Sequence, residues 1–126
     1  MDLNHVTLPC TNIPNSIEFY ERLGLKLIVH THDGYCRFEL SNGNATFSLH
    51  KVDEILPNNG SWIYFEVDNL DQNVKELKAK GIVFDQMPKD ESWLWREAKL
   101  TDPDGNKIIL YKAGENRKNP PWRKTK

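Results

Sequence analysis

The chain is poor in the features that most readily betray a function. It has two cysteines, Cys10 and Cys36, among 126 residues. Two cysteines cannot build a disulfide framework and suit a reducing compartment, so a cytoplasmic location is expected. There is no surplus of either charge: 17 basic and 18 acidic side chains leave a net charge of −1. Such a balance gives no pull toward nucleic acid or anionic lipid, and neither nucleic acid nor membrane is expected as a partner. No apolar run approaches the roughly 20 residues that span a bilayer. The opening MDLNHVTLPC has no basic segment followed by a long apolar one, so no signal peptide is read there.

What the chain does have is internal repetition. Hydrophobic residues at 38% and charged residues at 28% fit a globular domain of ordinary size. The stretch LNHVTLPCTNIPNSIEFYERLGLKLIVH, from Leu3, superposes without a gap on GSWIYFEVDNLDQNVKELKAKGIVF, from Gly60, at a shift of 57 residues. Ile13 falls on Leu70, Ile17 on Val74, Tyr20 on Leu77 and Gly24 on Gly81. Apolar residues at i, i+4 and i+7 predict an amphipathic helix in each copy. Asn12 with Pro14, and Asp68 with Asn69, supply the helix starts, and each glycine lies where a helix end needs a left-handed residue. Strands are predicted before the helices, at His5–Leu8 and Trp62–Val67, and after them, at Leu25–Val29 and Ile82–Phe84.

The downstream halves repeat as well. RFEL, the turn SNGN and ATFSLH match REAKL, the turn TDPDGN and KIILY, with Gly43 aligned to Gly105 at a shift of 62. Each copy therefore reads strand–helix–strand–strand–strand. The expected fold is α+β: two tandem βαβββ modules, residues 3–52 and 60–112, forming a curved mixed sheet around a cleft. Residues 113–126 are expected as an extended tail, because Pro120 and Pro121 oppose a helix there. Trp122 is its expected docking point, either on the cleft or on a second subunit.

Paired βαβββ modules carrying HVTL, FYERLGL, YFEVDNLDQNVKELKAKGI and DPDGNKIILY resemble the vicinal oxygen chelate superfamily. That group includes glyoxalase I, extradiol dioxygenases, fosfomycin-resistance enzymes and bleomycin-resistance proteins. The resemblance covers residues 3 to about 112 and makes residues 1–112 one such domain. In metal-dependent members, the first and last strands of each module point ligands into the cleft. The resemblance puts His5, Phe47, Trp62 and Ile109 at those places, where a typical member has histidine at the position of Trp62 and glutamate at that of Ile109. Only His5 can bind a metal, and one imidazole makes a poor site. The resemblance thus implies a chain without the usual metal triad. If zinc, nickel, manganese or iron is bound, His5 is its ligand, with Glu39, Glu66 or Glu97 beside it. Superfamily members also commonly dimerise, so a homodimer is implied.

Strand alternation sorts the remaining candidates. Val6, Leu8, Phe38, Leu40, Ala98 and Leu100 read as the helix-covered face. Their opposite-parity neighbours would line the cleft. The expected ligand-binding residues are Thr7, Tyr35, Arg37, Phe47, Trp62, Tyr64, Trp95, Ile109 and Tyr111, with Leu49 and Lys99 near them. Expected acid–base candidates are His5, Glu39 and Glu97; alternatively these glutamates pair with Arg37 and Lys99 across strands. Rings interrupted by a few charges suit a small, partly flat organic ligand. Two functions follow. One is a small-molecule binder similar to bleomycin-resistance proteins. The other is an enzyme, either a glyoxalase-like lyase or extradiol-type dioxygenase with a rearranged site around His5, or a metal-free acid–base catalyst.

Overall fold

The computed structural model describes residues 1–32, 34–56 and 60–124. The repeat is realised element by element. The first copy runs β1 (His5–Cys10), α1 (Ile13–Leu23), β2 (Lys26–Thr31), β3 (Tyr35–Glu39) and β4 (Thr46–Lys51). The second runs β5 (Trp62–Glu66), α2 (Leu70–Ala79), β6 (Phe84–Asp90), β7 (Arg96–Thr101) and β8 (Lys107–Lys112). Each copy forms its own four-stranded mixed sheet, in the orders β1-β4-β3-β2 and β5-β8-β7-β6. The pairs β1/β4 and β5/β8 are parallel and the others antiparallel.

Two compact units result. Unit 1 is Met1–Gly60 with Asp102–Asn106, and unit 2 is Ser61–Thr101 with Lys107–Lys126. The turn between β7 and β8 thus belongs to unit 1. Pro9 and Pro88 lie in β1 and β6, which are edge strands of their sheets, where a missing N–H is tolerated.

Helix α1 starts as its sequence predicts. The Asn12 side chain accepts from the Asn15 N–H at 3.0 Å, and Pro14 stands in the first turn. It ends at Gly24, whose φ of 115° is left-handed. Gly81, after α2, has φ 91°. In unit 1 the buried helix stripe Ile13, Ser16, Tyr20 and Leu23 joins a core with Leu8, Cys36, Phe38, Phe47 and Leu49. The Tyr20 ring sits 4.9 Å from Phe47 and 5.8 Å from Phe38.

The Tyr20 hydroxyl is buried with its ring and donates to Asp102 at 2.6 Å. Asp102 opens the DPDGN turn and organises it. One of its oxygens accepts from the Asp104 and Asn106 N–H groups, each at 2.9 Å, and the other accepts from the Asn106 amide at 2.8 Å. Asn106 also donates to the Pro9 carbonyl, and Asp104 accepts from Thr11.

In unit 2 the α2 stripe Leu70, Val74 and Leu77 is buried, as are Ala98, Leu100, Ile108 and Leu110 on the central strands. Ile109 and Tyr111 alternate with Ile108 and Leu110, yet are also buried, in a cluster with Ala113 and Trp95. KIILY is apolar on both sides because its second face carries an aromatic cluster of its own.

Residues 113–124 are not extended at their start. Gly114–Arg117 form a 3-10 turn held by Glu66, whose carboxylate accepts from the Ala113 and Gly114 N–H groups at 2.8 Å each. Trp95 reinforces it by donating to the Asn116 carbonyl at 3.3 Å. The attachment is thus made by Glu66 and Trp95, while Trp122 is 57% exposed.

Candidate functional site

In unit 1 the sheet face opposite the α1 core is polar. Its rows are set by register: Glu39 opposite Thr46 and Thr46 opposite His5; Arg37 opposite Ser48 and Ser48 opposite Thr7; Tyr35 opposite His50. Hydrogen bonds link them. His5 Nδ1 is 2.5 Å from the Thr46 hydroxyl, and Nε2 is 3.1 Å from Ser48 Oγ and 3.3 Å from Thr7 Oγ1. Thr7 and Ser48 hydroxyls are 2.6 Å apart. Arg37 Nε donates to the Tyr35 phenol at 2.9 Å. Burial by itself would raise the Tyr35 ionisation, but hydrogen bonds to Ser48 and Arg37 and the guanidinium charge outweigh it and hold the phenol below its ordinary value.

His5, Thr7, Tyr35 and Arg37 are therefore brought together as expected, and Phe47 is not. Phe47 lies opposite Val6 and Phe38 and packs on Tyr20, on the helix side; Leu49 shares that side. The cause is a one-residue difference between the two turns. His5 is opposite Thr46 while Trp62 is opposite Lys107, so the counterpart of Ile109 is Ser48. Aligning Gly43 with Gly105 slips β4 by one position, and a slip of one exchanges the faces of a strand. Thr46 and Ser48 were missed for that reason. Phe38 was the available signal: it reads as helix-side, and a residue directly opposite it shares its face.

Glu39 stands at the end of β3, 3.5 Å from Lys26 rather than paired with Arg37. An open cavity of about 640 Å³ lies elsewhere in unit 1, at the start of α1, with His30, His32 and Lys51 on its wall. Cys10 and Cys36 are fully buried, and burial pushes both thiols up to about 11.

In unit 2 the corresponding face is aromatic. Trp95 stacks on Tyr111 with ring centroids 4.7 Å apart, and Tyr64 stands edge-on to both at 5.9 and 5.5 Å. Trp62 is 51% exposed, with the Lys99 ammonium 5.9 Å from its ring centre. A cavity of about 160 Å³ opens between Trp62, Asp85, Lys99, Thr101, Lys107 and Ile109. Burial raises the Tyr64 and Tyr111 phenols, assisted by the charges of Glu97 and Glu66 respectively, so both stay neutral donors near neutral pH.

Glu97 is buried on this face and accepts from the Trp93 indole at 2.8 Å; it is not paired with Lys99. Simple alternation through ESWLWREAK does not hold. Leu94 has φ 67°, so the chain turns between the two tryptophans, leaving Trp93 on Glu97 and Trp95 on Tyr111.

His5 has both ring nitrogens engaged by hydroxyls, Ser48 stands at the counterpart of Ile109, and Trp62 and Ile109 offer no lone pair. No three His, Cys, Asp or Glu side chains come together among the described residues. These residues do not fit the divalent ion of the metal-dependent proteins described above.

The chain belongs to the glyoxalase/bleomycin resistance protein/dioxygenase superfamily, whose family model matches residues 2–110. Among its relatives, the probable trivalent organoarsenical cleaving enzyme of Bacillus subtilis (strain 168) is 30% identical over 124 residues, covering 89% of this chain and 80% of the relative. Among solved structures, a bleomycin resistance determinant encoded on the transposon Tn5 has a TM-score of 0.75 at 21% identity, covering 89% of this chain and 98% of that one. A bleomycin-binding protein complexed with bleomycin has a TM-score of 0.72 at 20% identity, with the same coverage. These two likenesses concern the fold.

Proposed function

We propose that the protein binds a small organic ligand with a planar ring system on the aromatic face of unit 2, without the metal chemistry of its superfamily. The observation that carries this reading is the Tyr64–Trp95–Tyr111 cluster beside the half-exposed Trp62. Tyr64 and Trp62 are the exposed rings, and the buried Tyr111 with the partly buried Trp95 holds Tyr64 in place, so stacking area is offered at little cost in side-chain freedom. The adjoining cavity of about 160 Å³ has room for one ring, since a cavity of about 150 Å³ accommodates benzene. Lys99 beside Trp62 favours an electron-rich or anionic ring substituent. The solved bleomycin-binding protein makes bleomycin a reasonable first probe.

A second reading, cleavage of an organoarsenical, is favoured by the 30% identity to the Bacillus subtilis enzyme. Its chemistry finds weak support. Trivalent arsenic is a soft centre that takes thiolates, and the only two cysteines are buried thiols with ionisation pushed up to about 11.

All four tryptophans lie in unit 2, so indole emission reports on that unit. Titration with bleomycin and a panel of planar phenols, amines and heterocycles should find saturable quenching. Trp62→Ala and Trp95→Ala should each weaken the best ligand about tenfold, the worth of one good ring contact. Unchanged affinity in both variants defeats the proposal. Release of inorganic arsenic from a trivalent aryl arsenical by metal-supplemented protein would favour the second reading.

A further inference from the structure

We infer that the polar face of unit 1 is an oxyanion site, built to receive a carboxylate or phosphoryl group on Arg37. The chain has five arginines. Arg22 faces Glu18, Arg96 faces Asp71 and Asp90, Arg117 faces Glu66, and Arg123 donates to the Lys118 carbonyl and Asn119. Arg37 and Arg123 form no ion pair among the described residues; of the two, Arg37 lies within a strand, with the Tyr35 phenol as its partner.

That contact uses Nε and leaves the two terminal nitrogens, the end of the fork that grips an oxyanion through two parallel hydrogen bonds. The surroundings are donors. Ser48 lies directly across from Arg37, and Thr7 directly across from Ser48, in one row over three strands. His5 closes the row through Ser48 and Thr7, and the exposed His50 stands beside Tyr35. Glu39 is the carboxylate of this face, and it stands with Lys26. Hydroxyl rotors can turn their protons toward an incoming anion, and Tyr35 fixes the plane of the guanidinium before the anion arrives. The outer edge of the guanidinium matches an oxyanion in shape and charge.

This inference concerns unit 1 alone and does not rest on the aromatic reading of unit 2. Unit 1 contains no tryptophan, so the two fail separately. The test is calorimetric titration of the full chain with sodium benzoate, inorganic phosphate and, as the uncharged control, benzamide. Benzoate or phosphate should bind in the millimolar range and benzamide should not bind at this site. Binding of benzoate alone identifies a carboxylate site, and of phosphate alone a phosphoryl site. Arg37→Gln should abolish the anion binding, and Arg37→Lys should weaken it about tenfold by removing the fork while keeping the charge.

Thermal melts accompany each variant. If Arg37→Gln does not fold, Arg37→Lys, at about tenfold, and Tyr35→Phe, expected to weaken anion binding severalfold, decide. Failure of both anions to bind wild type at millimolar concentration overturns the inference. So does anion binding that survives Arg37→Gln or, where that variant does not fold, is unchanged in Arg37→Lys and Tyr35→Phe.

Discussion

Replacing Asp102 by alanine should destabilise the protein by about 4 kcal/mol, a large part of the ~5–15 kcal/mol that holds an ordinary domain together. The carboxylate is buried and accepts four hydrogen bonds: from Tyr20 at 2.6 Å, from the Asn106 amide at 2.8 Å, and from the Asp104 and Asn106 N–H groups at 2.9 Å. A hydrogen bond to a charged acceptor is worth about 1.5–3 kcal/mol, and bonds sharing one acceptor do not add fully. Alanine also leaves the buried Tyr20 hydroxyl without its acceptor, itself a cost of about 1–3 kcal/mol. Asp102→Asn keeps the volume but turns an NH₂ toward groups that donate, and should cost about 2 kcal/mol. Tyr20→Phe removes one donor and leaves the turn intact, for about 1 kcal/mol. Urea unfolding followed by circular dichroism, run as a double-mutant cycle on Asp102 and Tyr20, gives each number and their coupling. A loss below about 1 kcal/mol in Asp102→Ala, or no coupling to Tyr20, would refute the view that this carboxylate organises the turn.

Gly24→Val and Gly81→Val should each lower stability by about 1 kcal/mol or more in the same assay, because their φ values of 115° and 91° strain a β-branched residue. Leu94→Asn should raise stability by up to about 1 kcal/mol, since asparagine accepts the φ of 67° more readily than leucine; an unchanged or lower melting temperature counts against strain at that turn. Cys10 and Cys36 should resist an aromatic disulfide reagent at pH 8 until the protein unfolds. Their ionisation is about 9 in the unfolded chain and about 11 in the folded one. The stability linked to them is therefore fully present below pH 9 and is lost as pH rises through 11, by up to about 3 kcal/mol for each thiol. A stability that is flat from pH 8 to 11 contradicts their burial.

The fold was largely legible because the repeat repeats physics as well as letters. Asn12 and Pro14 open a helix, Gly24 and Gly81 close two, and an i, i+4, i+7 stripe commits each helix to one face. The phase of β4 was not legible from the repeat. Turns of different length can share a glycine yet deliver the next strand one residue out, and Ser48 and Phe47 then exchange faces. The DPDGN turn was recognisable as a turn, but its place in unit 1 depends on Tyr20, 82 residues away from Asp102 in sequence. On the aromatic face, alternation failed between Trp93 and Trp95 because Leu94 adopts a left-handed conformation that leucine rarely takes. Arg37, Tyr35, Thr7 and His5 were correctly assigned to one face, but the hydroxyls that join them, Thr46 and Ser48, come from the strand whose phase was missed.

In the proposed function the scaffold of this superfamily holds an organic ligand on rings rather than on a metal. The most direct test is tryptophan quenching by the best planar ligand, measured before and after exhaustive chelation. The dissociation constant should be the same in both, and binding should be about tenfold weaker in Trp62→Ala and in Trp95→Ala. Binding that disappears on chelation, returns with iron, manganese, nickel or zinc, and ignores both substitutions would contradict it.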